Sequence, residues 1–348
     1  EIELPPQDAK FSISPEGKVA EFQASKSGTK LNFDKSYTDI NTAFKERNYH
    51  PATAIKTVSL TMDSVEPTTK NADSNNLGIA EIIGSGFSTF YDSHSTRIKN
   101  IANAVKRLNG TIIEPGEVFS AIKYAGPFTI ENGFLPEAVI KGREIKDEVG
   151  GGMCQIGTTL FRMAMNSGMD IVQRSNHSLV VSYYADPTNH NPGTDAALYE
   201  PSIDLKFLND TGSHLLLQTE IDYVQQKLIF TLWGKPDGRK GWYDPPKVSR
   251  WINSGEPETV LTTKLPYANK NCQPAYRGAV ASFIYHRVAP TGELIDRVFD
   301  SYYRPLPQIC MIKVDAIPAG CRDKEVCDKV QITEDGKVLP LGEATTTP

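Results

Sequence analysis

The sequence predicts an α+β protein, and three observations predict it. Apolar residues recur at helical spacing in separate stretches, at about 34–48, 95–108 and from 154 to Gly168. Elsewhere apolar and polar residues alternate in short runs, the period of a half-buried strand. Turn signals such as Pro15-Glu16-Gly17 and Thr291-Gly292 separate those runs and join neighbours as hairpins. A buried helix followed by antiparallel strands, without regular β–α alternation, is the α+β arrangement.

Taken in order, Phe11 to Ser14 and Val19 to Gln23 are strand candidates on either side of Pro15-Glu16-Gly17. Asp34 is placed to cap a helix with Tyr37, Ile40, Ala43 and Phe44 on one face, ending near Asn48. Ile55, Val58, Leu60 and Met62 resume a strand pattern, and the polar, aperiodic stretch Thr68 to Asn76 reads as a linker. Residues 1–78 are thus expected as a small α+β domain. The second module, 79–238, opens on a strand from Glu81 to Phe90. A helix over Ser95 to Leu108 follows, its apolar face built from Ile98, Ile101, Ala102, Val105 and Leu108 and stopped by Asn109-Gly110. A second helix starts at Gly150-Gly151-Gly152-Met153-Cys154-Gln155. Strands are expected at Asp170–Arg174, Ser178–Tyr184, Ile203–Leu208, Leu215–Ile221 and Lys227–Trp233. Residues 239–335 read as a β-rich, disulfide-containing extension with a long hairpin, Ala279–Val288 and Leu294–Tyr303. Residues 336–348 read as a disordered tail.

With 348 residues, the chain exceeds one ordinary core, so two or three domains are expected. Net charge is −5, and Lys and Arg never run in blocks, which argues against a nucleic-acid partner. No apolar run approaches the roughly 20 residues of a membrane span. The chain begins at Glu1 without Met, so membrane contact is expected only through an N-terminal anchor removed from it. Four of the five cysteines, Cys272, Cys310, Cys321 and Cys327, fall late in the chain, three of them in a loop-rich stretch. Their spacing departs from the C-x2-C knuckles of zinc sites, so two disulfides of undetermined pairing and an oxidising, extracellular compartment are expected. Cys154 is left over.

Three glycines running into a cysteine at a helix start have a chemical logic. Glycine permits positive φ and close approach. The helix N-terminus offers unpaired N–H groups and partial positive charge, which favour thiolate. His177 follows 23 residues later and Asp195 another 18, an order shared with transglutaminase-like and papain-like thiol enzymes. The catalytic candidates are therefore Cys154, His177 and Asp195. Taken singly, each has a plainer reading: a small buried hydrophobe, a structural hydrogen-bonder and a turn residue. A metal site from Cys154, His177, His190 and Asp195 lacks any recurring ligand spacing, and no G-x-x-x-x-G-K-[ST] phosphate loop is present. No metal or cofactor is expected.

At these residues the chain resembles the VanW family, named from vancomycin-resistance gene clusters. The resemblance rests on Asn109-Gly110-Thr111, Pro115-Gly116-Glu117-x-Phe119-Ser120, Glu131-Asn132-Gly133-Phe134 and Gly150-Gly151-Gly152-Met153-Cys154-Gln155-Ile156-x-Thr158-Thr159-Leu160. Further on it rests on Arg174-x-x-His177-Ser178, Tyr183-Tyr184, Asp195-Ala196 and Asp204-Leu205-Lys206-Phe207-x-Asn209-x-Thr211. Met153 and Gly157 depart from the family, where an aliphatic residue and a serine are expected. Residues 1–70 are similar to the peptidoglycan-binding domain that often precedes such modules. The resemblance implies an exported bacterial envelope protein whose partner is peptidoglycan or its stem peptides.

Two functions from different classes follow. One is a thiol hydrolase or transpeptidase acting on stem peptides. Cys154 attacks, His177 shuttles the proton, Asp195 orients the imidazole and the Gln155 N–H holds the oxyanion. Gly151, Gly152, Gln155, Glu117, Arg174 and Ser178 are the expected substrate-binding residues, with Glu117 and Arg174 gripping the charged ends of the peptide. The other is a non-catalytic peptidoglycan-binding scaffold in which Cys154 only packs.

Overall fold

The structure, a computed structural model, describes residues 3–13, 19–23, 25–46, 57–67, 77–141, 144–264, 270–328, 330–332 and 338–340. It is an α+β fold organised around one buried helix. Four helices appear among the described residues: α1 (Phe33–Lys45), α2 (Ser95–Leu108), α3 (Ala121–Ala125) and α4 (Met153–Asn166).

Of the fourteen residues of α4, all but Cys154 and Asn166 are buried, so apolar residues surround it rather than forming one stripe. One side lies on an antiparallel sheet in the order Glu81–Thr89, Lys227–Gly234, Leu215–Asp222, Thr111–Ile113. Two glycines of the first strand allow that contact. A Cβ on Gly86 would sit 2.3 Å from Met163 N, and one on Gly84 would sit 2.7 Å from the Asn166 carbonyl carbon. Small residues here let backbone meet backbone, as close helix–sheet packing requires. The Ser88 and Thr159 hydroxyls then hydrogen-bond across the seam at 2.7 Å.

The other side of α4 meets the C-terminal sheet. Gly278–Val288 pairs with Leu294–Tyr303 in the long hairpin expected from the sequence, and its other edge pairs with Lys240–Tyr243 and Lys247–Ile252. Inward-facing Phe283, Tyr285 and Phe299 share the central core with Phe161. Phe161 meets Phe299 edge-on at 5.4 Å and Phe283 at 6.3 Å. Such pairs contribute about 0.5–1.5 kcal/mol each beyond area burial. The extension therefore shares its core with the central module. At the other end of the chain, Ala9 and Phe11 pack with Ile112 and Leu216.

Several local expectations are corrected. Ser178–Tyr184 is irregular and ends in a 3-10 turn, Ser182–Tyr184. The reason is tertiary: the Tyr184 and Ala185 carbonyls accept from buried Arg162 Nη2 at 2.8 and 3.0 Å, not from a ladder. The cap of α1 is Asn32, whose side chain accepts from Lys35 N, rather than Asp34. Strand Val338–Pro340 pairs with Val330–Ile332 inside the stretch expected as tail. The expected turn at Pro15-Glu16-Gly17 and linker from Thr68 to Asn76 lie outside the described residues.

The late cysteines pair as Cys272–Cys310 and Cys321–Cys327, and Cys154 is free. Non-reducing peptide mapping should return these two linkages and one alkylatable thiol. A bridge to Cys154 would overturn the assignment.

Candidate functional site

The glycine run sets up the start of α4. Gly152 is the N-cap with φ 104°, a left-handed conformation that side chains disfavour. Gly151 is buried, and its Cβ would sit 2.7 Å from Glu137 Cβ. Asn100 of α2 holds the loop, donating from Nδ2 to the Gly151 carbonyl at 2.9 Å. Cys154 thus enters in the first helical turn. The residue is half-buried, and its sulfur accepts the Leu198 N–H at 3.5 Å.

His177 and Asp195 both lie on irregular backbone between the strands Asp170–Gln173 and Lys206–Leu208. Buried arginines replace ladder pairing as the means of fixing it. Arg162 donates to the carbonyls of Phe87, Tyr184, Ala185 and Thr194. Arg174 donates to the Asp195 carbonyl at 2.8 Å, the Gly193 carbonyl at 2.6 Å and Ser301 Oγ at 2.9 Å. Asp195 Oδ2 accepts both the His177 backbone N–H at 2.8 Å and its ring Nδ1 at 2.6 Å. Asp195 Oδ1 accepts from Tyr303 Oη and, at 3.3 Å, from Arg174 Nη2. With Nδ1 committed to Asp195, Nε2 is the ring atom left for the thiol. It is buried and makes no formed hydrogen bond, a looseness common before substrate binds. The ring stacks on Tyr184 at 4.7 Å.

The electrostatics follow from this arrangement. Burial pushes the Cys154 thiol up, but the charge of His177, the Leu198 N–H and the charge of Arg97 outweigh it, so the net shift is downward. Burial pulls the His177 imidazole down, while the charge of Cys154 and the hydrogen bond and charge of Asp195 raise it to about 10. Burial of Asp195 is likewise outweighed, by the hydrogen bond and charge of His177 and the charge of Arg174, which hold it below the usual carboxylate range. These shifts run in the direction of a thiolate–imidazolium pair backed by a carboxylate.

Cys154 and His177 both line a cleft of about 510 Å³. Its walls include Val139 and Glu148 from the hairpin Pro136–Lys141 and Glu144–Val149, Tyr199 and Glu200, and Tyr302 from the C-terminal hairpin. Gly152 and Ser178 also line it.

The other substrate-binding assignments change. Glu117 is outside the cleft, accepting from Lys123 Nζ at 3.0 Å and Tyr124 Oη at 2.5 Å. Arg174 is buried behind Asp195 and braces the carboxylate instead of gripping a peptide. Gly151 is buried beneath the loop. The Gln155 side chain is also buried, spanning Thr89 O, Ser88 Oγ and Arg97. Its backbone N–H donates to Gly152 O at 3.0 Å, so it is not available to an oxyanion. Among the described residues, the backbone hydrogen bonds assign no acceptor to the Cys154 N–H. His190 is exposed at φ 60° and lies outside the cleft.

Sequence reasoning missed Arg97, Tyr303 and Ser301. The last two stand 108 and 127 residues from the partners they touch, and no local pattern marks them.

The comparisons with known proteins cover this same region. Residues 96–233 match the family model described as VanW like protein, a span that holds Arg97, Cys154, His177 and Asp195 but not Ser301 or Tyr303. The uncharacterized protein YoaR of Bacillus subtilis is 30% identical over 138 residues, covering 40% of this chain and 44% of YoaR. This chain therefore spans less than half of that relative's length. The vancomycin B-type resistance protein VanW of Enterococcus faecalis is 28% identical over 211 residues, covering 55% of this chain and 73% of that protein. No solved structure matches. Residues 96–233 are thus VanW-like, and the likeness is established for that part of the chain.

Proposed function

We propose that the protein is an exported envelope enzyme that uses Cys154 for acyl transfer on peptidoglycan stem peptides. One observation carries the chemistry: a free thiol at a helix N-terminus shares a cleft with an imidazole whose far nitrogen is held by a buried carboxylate at 2.6 Å. Nucleophile, base and orienter in that relation are the minimal apparatus of covalent acyl transfer.

In the proposed reaction the Cys154 thiolate forms a bond to the carbonyl carbon, and the oxygen takes the displaced electron pair. The Cys154 N–H and the dipole of α4 stabilise that oxyanion. His177 Nε2 gives its proton to the departing amine as the C–N bond breaks, leaving a thioester. Water or a second amine then attacks the thioester with His177 as base, which yields hydrolysis or transpeptidation. Two disulfides, and the absence among the described residues of any helix long and apolar enough to cross a membrane, fit a secreted protein. One relative is named for vancomycin resistance, which supports a role at the cell envelope.

The test is direct. At pH 6 a free thiol with a pKa near 8.5 is less than about 1% thiolate, yet Cys154 should label with iodoacetamide because its titration is shifted down. As pH falls through that depressed value labelling should fade. As pH rises through about 10, His177 loses its proton and the general-acid step fails. Cys154→Ala should fold normally and release no product from purified peptidoglycan. Product from Cys154→Ala equal to the parent's would remove Cys154 as the nucleophile, and no product from the parent itself would leave the wall-binding scaffold as the reading.

A further inference from the structure

Arg97, on the first turn of α2, lines the cleft beside Cys154, where the buried Arg162 and Arg174 do not reach. Its carbon stem lies against the N-cap of α4: a Cβ on Gly152 would sit 3.1 Å from Arg97 Cγ. Its Nη2 donates to Gln155 Oε1 at 2.9 Å and Tyr184 Oη at 3.0 Å. The guanidinium also lies 4.7 Å from the centre of the Tyr183 ring. All four interactions fix its position. None neutralises it.

Arg174 is paired with Asp195, Arg239 with Asp210 and Asp237, and Arg162 spends its donors on four carbonyls and Thr194 Oγ1. No carboxylate of the described residues pairs with Arg97, and its Nε is buried without a hydrogen-bond partner. A guanidinium cannot shed its charge in a protein, and a desolvated cation without an anion is costly to keep. With both Nη2 hydrogens committed and Nε buried, Nη1 is the donor left for an anion, and a charged N–H held rigid by neutral neighbours suits a carboxylate. Arg97 is also close enough to Cys154 to favour its thiolate, so an anion held there lies near the bond under attack.

We infer that Arg97 is a specificity residue that grips a substrate carboxylate, so that the site takes peptides with a free C-terminal carboxylate next to the scissile bond. This rests on the thiol reading given above. The C-terminal residue would leave as the amine product, its carboxylate held by Arg97 while His177 protonates its nitrogen.

Iodoacetate and iodoacetamide provide the test on the full chain. In both, Cys154 Sγ bonds to the methylene carbon and iodide leaves, and only the carboxylate differs. The iodoacetate-to-iodoacetamide rate ratio should exceed that of free cysteine at least tenfold, and R97Q should lower it by at least ten. R97K, which keeps the charge but loses the planar group held by Gln155 and Tyr184, should fall between. A variant-free arm uses N-acetyl-alanyl-alanine and its C-terminal amide, in both D and L forms. The acid should protect Cys154 from alkylation at concentrations where the amide does not. Equal protection by acid and amide overturns the inference, as does R97Q slowing both reagents by the same factor, which would confine Arg97 to the thiolate. A Cys154 inert to both reagents would instead sink the thiol reading. Calorimetry on Cys154→Ala then decides the carboxylate grip alone: acid bound over amide supports it, and equal binding refutes it.

Discussion

Replacing Asp195 by Asn is expected to lower acyl transfer on the order of 10³–10⁴-fold, the scale of losing the orienting carboxylate in a nucleophile–base–acid triad. Four donors converge on this carboxylate: His177 N and Nδ1, Arg174 Nη2 and Tyr303 Oη. An amide would turn an NH2 group toward some of them and remove the charge that sustains imidazolium. His177 would then lose its proton well below about 10, and the Cys154 thiol would titrate higher. The pH range holding the thiolate–imidazolium pair closes from both sides. Labelling by iodoacetamide at pH 6 should therefore fall together with turnover. If Asp195→Asn labels at pH 6 as fast as the parent, the carboxylate does not sustain the pair and the triad account is wrong. Tyr303→Phe is the milder companion, removing one of the four donors and leaving the charge.

Replacing Arg174 by Met should cost about 3–5 kcal/mol of stability, the usual loss when one member of a buried pair is removed. Its side chain is 3% exposed and that of Asp195 is 4% exposed. Met fills part of the volume but leaves the Asp195 and Gly193 carbonyls and the Asp195 carboxylate short of a donor. It also ends the guanidinium's packing over the Phe161 and Phe299 rings, at 5.3 and 5.9 Å. Arg322→Met is the control. That side chain is 80% exposed and reaches Glu325 only at 3.7 Å, so its loss should stay within about 0.5 kcal/mol. Urea unfolding of the two variants compares them directly. A midpoint shift for Arg174→Met no larger than the control's would show that the hairpin contact is dispensable.

Ser301, which accepts from Arg174, and Tyr303 belong to the C-terminal hairpin, beyond the segment matched by the family model. That hairpin buries Phe283 and Phe299 on α4 and sends Tyr302 to the cleft wall. In this chain the site is completed by sequence outside the VanW-like span.

What could be read from the sequence was local. Three glycines before Cys154 marked a helix start because positive φ at Gly152 and close approach at Gly151 are properties of those residues themselves. The long hairpin was legible because alternation and the Thr291-Gly292 turn act over a few residues. The pairing of the late cysteines was not, since distance along the chain does not say which side chains meet. The same limit explains the errors at Glu117, Arg174 and Gln155, whose polar groups suggested a ligand. In the fold Glu117 meets Lys123 and Tyr124, and Arg174 meets Asp195 and Ser301. Gln155 meets Ser88 and Thr89. Residues 178–184 looked like a strand by composition, but buried Arg162 draws their last carbonyl away from any ladder. Helix caps, turns and hydrophobic period belong to the chain itself. Which buried donor satisfies which acceptor depends on groups far apart in sequence, because burial makes every unpaired polar atom costly and only the packed fold supplies its partner.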